Sequence, residues 1–440
     1  MRKTSPRLLL IILFIFSNLS NAETLPTVDI PKKISGSQVI ILSKQGDALS
    51  QKIARYYAQQ RHVPNDQIVS ISLPANTNTL SSKQFSSLSE KISPKLTSNI
   101  KVVLLTFHSP YRVDCMSITS AFALGFDKKY CGQKISNKKA CNPSAISPYY
   151  NNQTDLLWKK ETPMRLSMML SAETFQQAKA LIDRGISADN TYPKGHAYLV
   201  RTHDHARSTR TPTFKRFSEF WPQDHPIQAN FIDDRHQKMD TSIKHKKDIL
   251  FYHTGLKHVP AIETNTYLPG AIADHLTSGA GIGIGHDGQM KAFRWLENGV
   301  TASYGTVIEP CNFTEKFPNP QILIPSYANG DSLIEAYWKS VQQPGEGLFV
   351  GEPLARPWSK TLTTYQGQSL IIRTSELEAN NNYLIEERNQ LAEQWHETPN
   401  DITLKATKSH LTITIPNAQA RHYRITKKPF YFGIMERPKS

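Results

Sequence analysis

The sequence predicts an α/β fold, a mostly parallel sheet covered by helices on both faces, followed by a small antiparallel β domain. Three observations predict it. From residue 37 to about residue 358, short apolar runs alternate with stretches of helical period, which is the pattern of strands joined by crossover helices. The apolar runs are nearly continuous rather than alternating, as in strands buried on both faces. After Pro357 the pattern changes to short alternating segments separated by Asn- and Pro-containing turns, as in a β sandwich. At 440 residues the chain is long enough for a large core and two domains. The expected organisation is a signal peptide at 1–22, a lead-in at 23–36, the α/β domain at 37–358 and the β domain at 359–440.

The elements follow in order. "SQVIIL" (37–42) is a buried strand, and the stretch after it carries Leu49, Ile53, Tyr56 and Tyr57 on one helix face, with Asp47 to cap its start and Pro64 beyond its end. "QIVSISL" (67–73) is the next strand, "SKQFSSLSEKI" the next helix, and "KVVLLTF" (101–107) the most apolar strand. A helix near 172–186 precedes "HAYLVRT" (196–202) and "DILFYHTG" (248–255). "PGAIADHLTS" (269–278) is helix or strand by its period. "GQMKAFRWLENG" (288–299) is helical, with Met290, Phe293 and Leu296 on one face, and "ASYGTVIEPCN" (302–312) is a strand. The helix "SLIEAYWKSVQQ" and the strand "GLFVG" (347–351) close the domain. "VVLLTF", "ILFY" and "TVI" are expected as neighbouring strands with their C-terminal ends on one rim. "QSLIIRTSEL", "DITLKAT", "HLTITIP" and "HYRITKK" supply the β domain.

The N-terminus sets the compartment. Arg2, Lys3 and Arg7 precede an apolar run from Leu8 to Phe16, then Ser20-Asn21-Ala22, the order of a secretory signal cleaved after Ala22. No later stretch approaches membrane-spanning length, so the mature chain is expected to be soluble and periplasmic or secreted. In an oxidising compartment an even number of cysteines points to disulfides. The four are Cys115, Cys131, Cys141 and Cys311; Cys131 and Cys141 share a polar loop and are expected to close it, leaving Cys115 for Cys311. Without the leader's three basic residues the net charge falls from +15 to +12. The basic clusters, such as "KHKKD" (244–248), lack interleaved aromatics and read as solvated surface, so no nucleic-acid partner is expected.

Several stretches could carry chemistry. "GIGHDG" contains Gly283, Gly285 and Gly288 in dinucleotide-fingerprint spacing, but no clear strand precedes it, so it reads as a turn and no cofactor is expected. His203, Asp204 and His205, with His253 or His258, could approach zinc-ligand chemistry, yet nothing in the spacing brings them together, and no metal is expected. Arg112 and Asp114 follow the most apolar strand, where ligands of open α/β sheets bind. They are candidate substrate-binding residues, together with Asp274 and His275.

"DILFYHTG", "AIADHLTSGAG", "ENGVTASYGTV" (297–307), "LIEAYWKS" (333–340) and "VGEPLARPW" (350–358) follow one another in the order of motifs in the caspase-fold cysteine peptidases of the gingipain type, which the chain distantly resembles. With "YYAQQRHVP", "RVDCMSITSAFALGF" and "KFPNP", they make almost the whole mature chain resemble a family of secreted bacterial proteins with no assigned activity. The peptidase resemblance implies a histidine at one strand end, here His253 in His-Thr-Gly, and a cysteine at the next. No cysteine stands there; Thr277 and Ser278 do, and Cys311 lies one strand later. Two functions follow. One is a non-catalytic relative that binds a peptide or envelope component; the other is a hydrolase using His253 with Ser278 or Cys311.

Overall fold

The computed structural model describes residues 25–30, 34–132, 142–152, 164–236, 243–284, 288–359, 361–374, 376–377, 381–398, 403–406 and 411–427. The chain enters through a short strand, β1 (Thr27–Asp29). In the α/β domain, β2 (Val39–Lys44), α1 (Ala48–Arg61) and β3 (Ile68–Ile71) are followed by β4 (Thr79–Leu80), α2 (Ser82–Ile92) and β5 (Val102–Leu105). Next come β6 (Arg112–Val113), β7 (Met116–Ser117), α3 (Ile118–Leu124) and β8 (Leu166–Met169). Then α4 (Phe175–Ala188), β9 (Gly195–Arg201), α5 (Thr211–Phe220), β10 (Ile227–Asp233), β11 (Ile249–Thr254) and β12 (Tyr267–His275) follow. The domain closes with α6 (Phe293–Glu297), β13 (Ala302–Thr306), α7 (Pro320–Ala328), α8 (Leu333–Ser340) and β14 (Gly347–Gly351).

Local chemistry accounts for these boundaries. Asp47 caps α1 by accepting from the Ser50 N–H at 2.9 Å, and the helix ends where His62 turns left-handed. Ser50, Ile53, Ala54, Tyr57 and Ala58 are its buried stripe. Consecutive residues of β2, β5 and β11 are buried, and successive strand side chains point to opposite faces, so both faces of the sheet are covered. "PGAIADHLTS", ambiguous by period, contributes to a strand. The helix expected over 288–299 shortens to α6, and α5, α7, β8 and β10 join the predicted elements.

One ten-stranded sheet runs β10-β9-β11-β12-β13-β14-β8-β5-β2-β3. Every neighbouring pair is parallel except β13 with β14. Two parallel halves therefore run in opposite directions and meet at that seam. This corrects the expectation of one shared rim: "VVLL" in β5 belongs to the half opposed to β11 and β13, and the three strands are not consecutive. The reversal is a property of pairing between β13 and β14, distant in sequence, and strand composition carries no direction. At the seam Tyr304 is paired with Phe349, and a Cβ on Gly347 would lie 1.7 Å from the Tyr304 hydroxyl, so only glycine fits. Trp338 of α8 stacks on Phe349 at 4.3 Å.

β15 (Leu362–Gln366), β16 (Ser369–Thr374) and β20 (Leu411–Ile415) form one small sheet. β17 (Asn381–Arg388), β18 (His396–Glu397), β19 (Thr403–Ala406) and β21 (His422–Lys427) form another, which β1 joins parallel to β21. Leu370, Ile372, Ile413 and Ile415 pack with Tyr383, Ile385, Tyr423 and Ile425 in a core of their own. Part of the segment read as a lead-in is thus a strand of the C-terminal sandwich. No helix among the described residues is long and apolar enough to cross a membrane.

The "VGEPLARPW" stretch ties these layers together. Glu352, wholly buried, accepts from Arg61 at 2.9 and 3.0 Å and from the Tyr57 hydroxyl at 3.0 Å. Arg61 also pairs with Asp189 at 2.5 Å. Arg356 reaches Glu376 at 2.6 Å, joining the two domains. Replacing Glu352 by Ala leaves the Arg61 guanidinium short of its main partner in the interior, a loss of about 3–5 kcal/mol of stability. Urea unfolding of Glu352→Ala measures it; a loss below about 1 kcal/mol would contradict the account.

Candidate functional site

β11 and β12 pair in parallel with His253 beside Asp274, so the two side chains share a face. His253 Nδ1 lies 2.8 Å from Asp274 Oδ2 and donates to the ionised carboxylate. Arg210, at the start of α5, places Nη1 2.6 Å from Asp274 Oδ1, and its Nη2 donates to the Thr254 carbonyl at 2.6 Å. His253 and Asp274 have no exposed surface, and Arg210 is 3% exposed. Burial by itself would raise the Asp274 carboxyl, but Arg210 and His253 outweigh it and hold it below the ordinary carboxylate range. Phe214, one turn into α5, lies with its ring 6.5 Å from that of His253 and under the Arg210 guanidinium at 5.1 Å. His253 Nε2 is buried without a hydrogen-bond partner among the described residues.

A histidine oriented by a carboxylate is the arrangement of a general base. Here the carboxylate is shared with a guanidinium, and α5 covers the pair. His275 stands on the opposite face, also fully buried. Its Nδ1 accepts from Trp295 Nε1–H at 3.0 Å and its Nε2–H donates to the Met290 carbonyl at 3.1 Å, which fixes a neutral tautomer. Burial lowers its pKa from the ordinary 6.5 to about 4. Asp274 and His275 therefore sit inside the fold.

Past the end of β12, the Thr277 hydroxyl accepts from Arg207 Nε at 3.0 Å and donates to Gln289 Oε1 at 2.8 Å. Ser278 is half-buried, and its carbonyl accepts from Thr306 Oγ1 at 3.3 Å. The cysteines require a correction. Cys115 is bonded to Cys131, with Cα atoms 5.8 Å apart, and not to Cys311. β7, α3 and the turn at 128–130 fold the chain back across those 16 residues, so nearness within the 131–141 loop did not decide the pairing. Cys141 lies outside the described residues. Cys311 is itself disulfide-bonded, which removes the thiolate that a cysteine nucleophile needs.

Arg112 lies in β6 of the small sheet of β4, β6 and β7, and Asp114 in the turn from β6 to β7. Arg112 Nε donates to Thr79 Oγ1 at 3.2 Å, and Asp114 Oδ2 accepts the Ser82 N–H at 3.0 Å in the first turn of α2. Gly283 and Gly288 fall in the loop between β12 and α6, with residues 285–287 outside the described set. Asp204 pairs with Arg207 at 2.7 Å, and His258 donates to the Gly288 carbonyl at 2.8 Å. Sequence reasoning missed Arg210. The available signal was Pro212 in the first turn of a helix, with Phe214 and Phe217 on one face.

No family model matches the chain, and no curated protein matches it. Two solved structures are similar to it. One, described as the structure of a protease, is 10% identical with a TM-score of 0.40, covering 88% of this chain and 98% of its own. The other is the complex of the pro- and mature domains of Porphyromonas gingivalis RgpB, a gingipain. It is 9% identical with a TM-score of 0.33, covering 86% of this chain and 99% of its own.

Two measurements bear on this region. Peptide mapping without reduction should recover Cys115 crosslinked to Cys131, with Cys311 resistant to alkylation in the unfolded, unreduced protein; quantitative alkylation of Cys311 would return it to the list of nucleophiles. The second is pH dependence. The unfolded chain protonates His275 near 6.5, whereas the fold keeps it neutral down to about 4. Its contribution to stability is therefore whole above 6.5 and falls as the pH drops from 6.5 to 4. The loss is at most about 3 kcal/mol. His275→Gln should flatten that slope in urea midpoints taken across the window, and an unchanged slope would refute the assignment.

Proposed function

We propose that this chain is an exported, non-catalytic relative of gingipain-type peptidases that binds a peptide or an envelope component in the periplasm or outside the cell. Export rests on the charged, apolar and small-residue order of residues 1–22. The observation that carries the non-catalytic reading is the state of the candidate base and nucleophile. His253 is enclosed with Asp274 and Arg210, and Cys311 is bonded. A base must come within hydrogen-bond reach of the proton it removes, and a fully enclosed imidazole does not meet substrate.

The alternative, a hydrolase using His253 with Ser278, has one observation in its favour: Asp274 holds Nδ1 and leaves Nε2 without a partner among the described residues. The two readings separate in one experiment on the purified exported protein. Incubation with denatured casein, and with fluorophosphonate and thiol-directed probes, is expected to give neither cleavage nor labelling. Cleavage abolished by His253→Ala, or a probe adduct mapped to Ser278, establishes the hydrolase instead.

A further inference from the structure

The two edges of the ten-stranded sheet are finished differently. On β10 two of the carbonyls that face away from β9 are taken by side chains: Trp221 Nε1–H donates to Ile227 at 2.8 Å and Ser218 Oγ to Ala229 at 3.2 Å. On β3 the Ile71 carbonyl accepts from the Gln45 N–H at 2.8 Å, towards β2. Alternation along the strand then turns the backbone groups of Ser70 and Ser72 outward. Both residues are exposed, and no side chain among the described residues bonds those outward groups. "IVSI" also lacks the charge, proline or bulge that usually blunts a free edge.

Beside this edge runs a groove of about 610 Å3 between β3 and α2. Val69, Ile71, Leu73, Leu80, Leu88 and Ile92 line it. The charged residues among its described lining are Lys83 and Lys91, both exposed on α2, and no acidic residue among the described ones lines it. Eight residues apart on a helix, they stand about 12 Å apart along its axis. That is close to the roughly 13 Å between positions i and i+4 of a strand. An edge with free backbone groups, an apolar wall and two spaced ammonium groups match one kind of occupant.

We infer that β3 takes up an extended peptide segment of a partner protein as an added strand. On the side facing α2 that segment carries an apolar residue flanked by two carboxylates, in the pattern acidic-x-apolar-x-acidic. The outward N–H and C=O groups of Ser70 and Ser72 supply backbone bonds, and Lys83 and Lys91 select the charge. The inference deepens the binding reading above by giving it a location and a ligand chemistry, and it rests on that reading.

The test uses the whole mature protein and a fluorescein-labelled peptide, acetyl-Thr-Glu-Thr-Val-Thr-Glu-Thr-amide, with a control in which both glutamates are lysines. Fluorescence anisotropy should show saturable binding of the acidic peptide that is at least tenfold weaker for the control. The double variant Lys83→Glu, Lys91→Glu, exposed and outside the core, should weaken the acidic peptide at least tenfold. Ser70→Pro, which removes an outward N–H on an edge strand, should do the same if circular dichroism shows it folded. No saturable binding, or equal binding by the charge-reversal variant, overturns the inference. A concentration-dependent dimer lost in Ser70→Pro would assign the edge to a second copy and also overturn it. Binding without cleavage supports both this inference and the non-catalytic reading. Cleavage of the bound peptide leaves the groove standing and overturns that reading alone. Neither binding nor cleavage removes the groove alone.

Discussion

The antiparallel contact between β13 and β14 is the constraint on which the sheet is built. On either side of it every pair is parallel, so the seam reverses the direction of half the strands. It places the ends of β11, β12 and β13 on one rim and those of β2, β3, β5 and β8 on the other. The contact is close because Gly347 gives its side-chain space to the Tyr304 ring. The Tyr304 hydroxyl donates to the Lys316 carbonyl at 2.7 Å, and Lys316 pairs with Glu346 at 2.7 Å, both buried. A larger residue at 347 would force the two halves apart where their cores are continuous.

Charge inside the fold is handled by pairing. Desolvating ions costs several kcal/mol each, and that cost is met only with good geometry and further hydrogen bonds. Asp274 receives Arg210 and His253, while Glu352 receives Arg61 and Tyr57. Arg210 also donates to the carbonyls of Thr254 and Pro318 at 2.6 and 3.2 Å, while its Nε is buried without a partner among the described residues. These pairs tie the helices α1 and α5 to the sheet. Asp274 thereby divides its two carboxylate oxygens between the Arg210 guanidinium and the His253 ring.

The C-terminal sandwich is joined to the α/β domain at a charged contact, Arg356 with Glu376, next to the stretch that carries Glu352. β1 and β21 lie side by side although they are nearly the whole chain apart in sequence. The sandwich is therefore completed only after both ends of the chain have been placed.

The sequence by itself determined the α/β class, several of the buried strands and the bounds of α1, because these depend on local periodicity, caps and continuous apolar runs. "SQVIIL", "KVVLLTF" and "DILFYHTG" announce two-sided burial, and Asp47 and Pro64 bracket α1 without any knowledge of neighbours. It also brought forward His253 and Asp274, which strand register then set side by side. Only the tertiary structure decided strand direction at the seam, the Cys115–Cys131 bond, the role of Arg210 and the enclosure of His253. Each depends on which distant segments become neighbours, and that is fixed by packing between elements, on which residue type and spacing along one chain are silent.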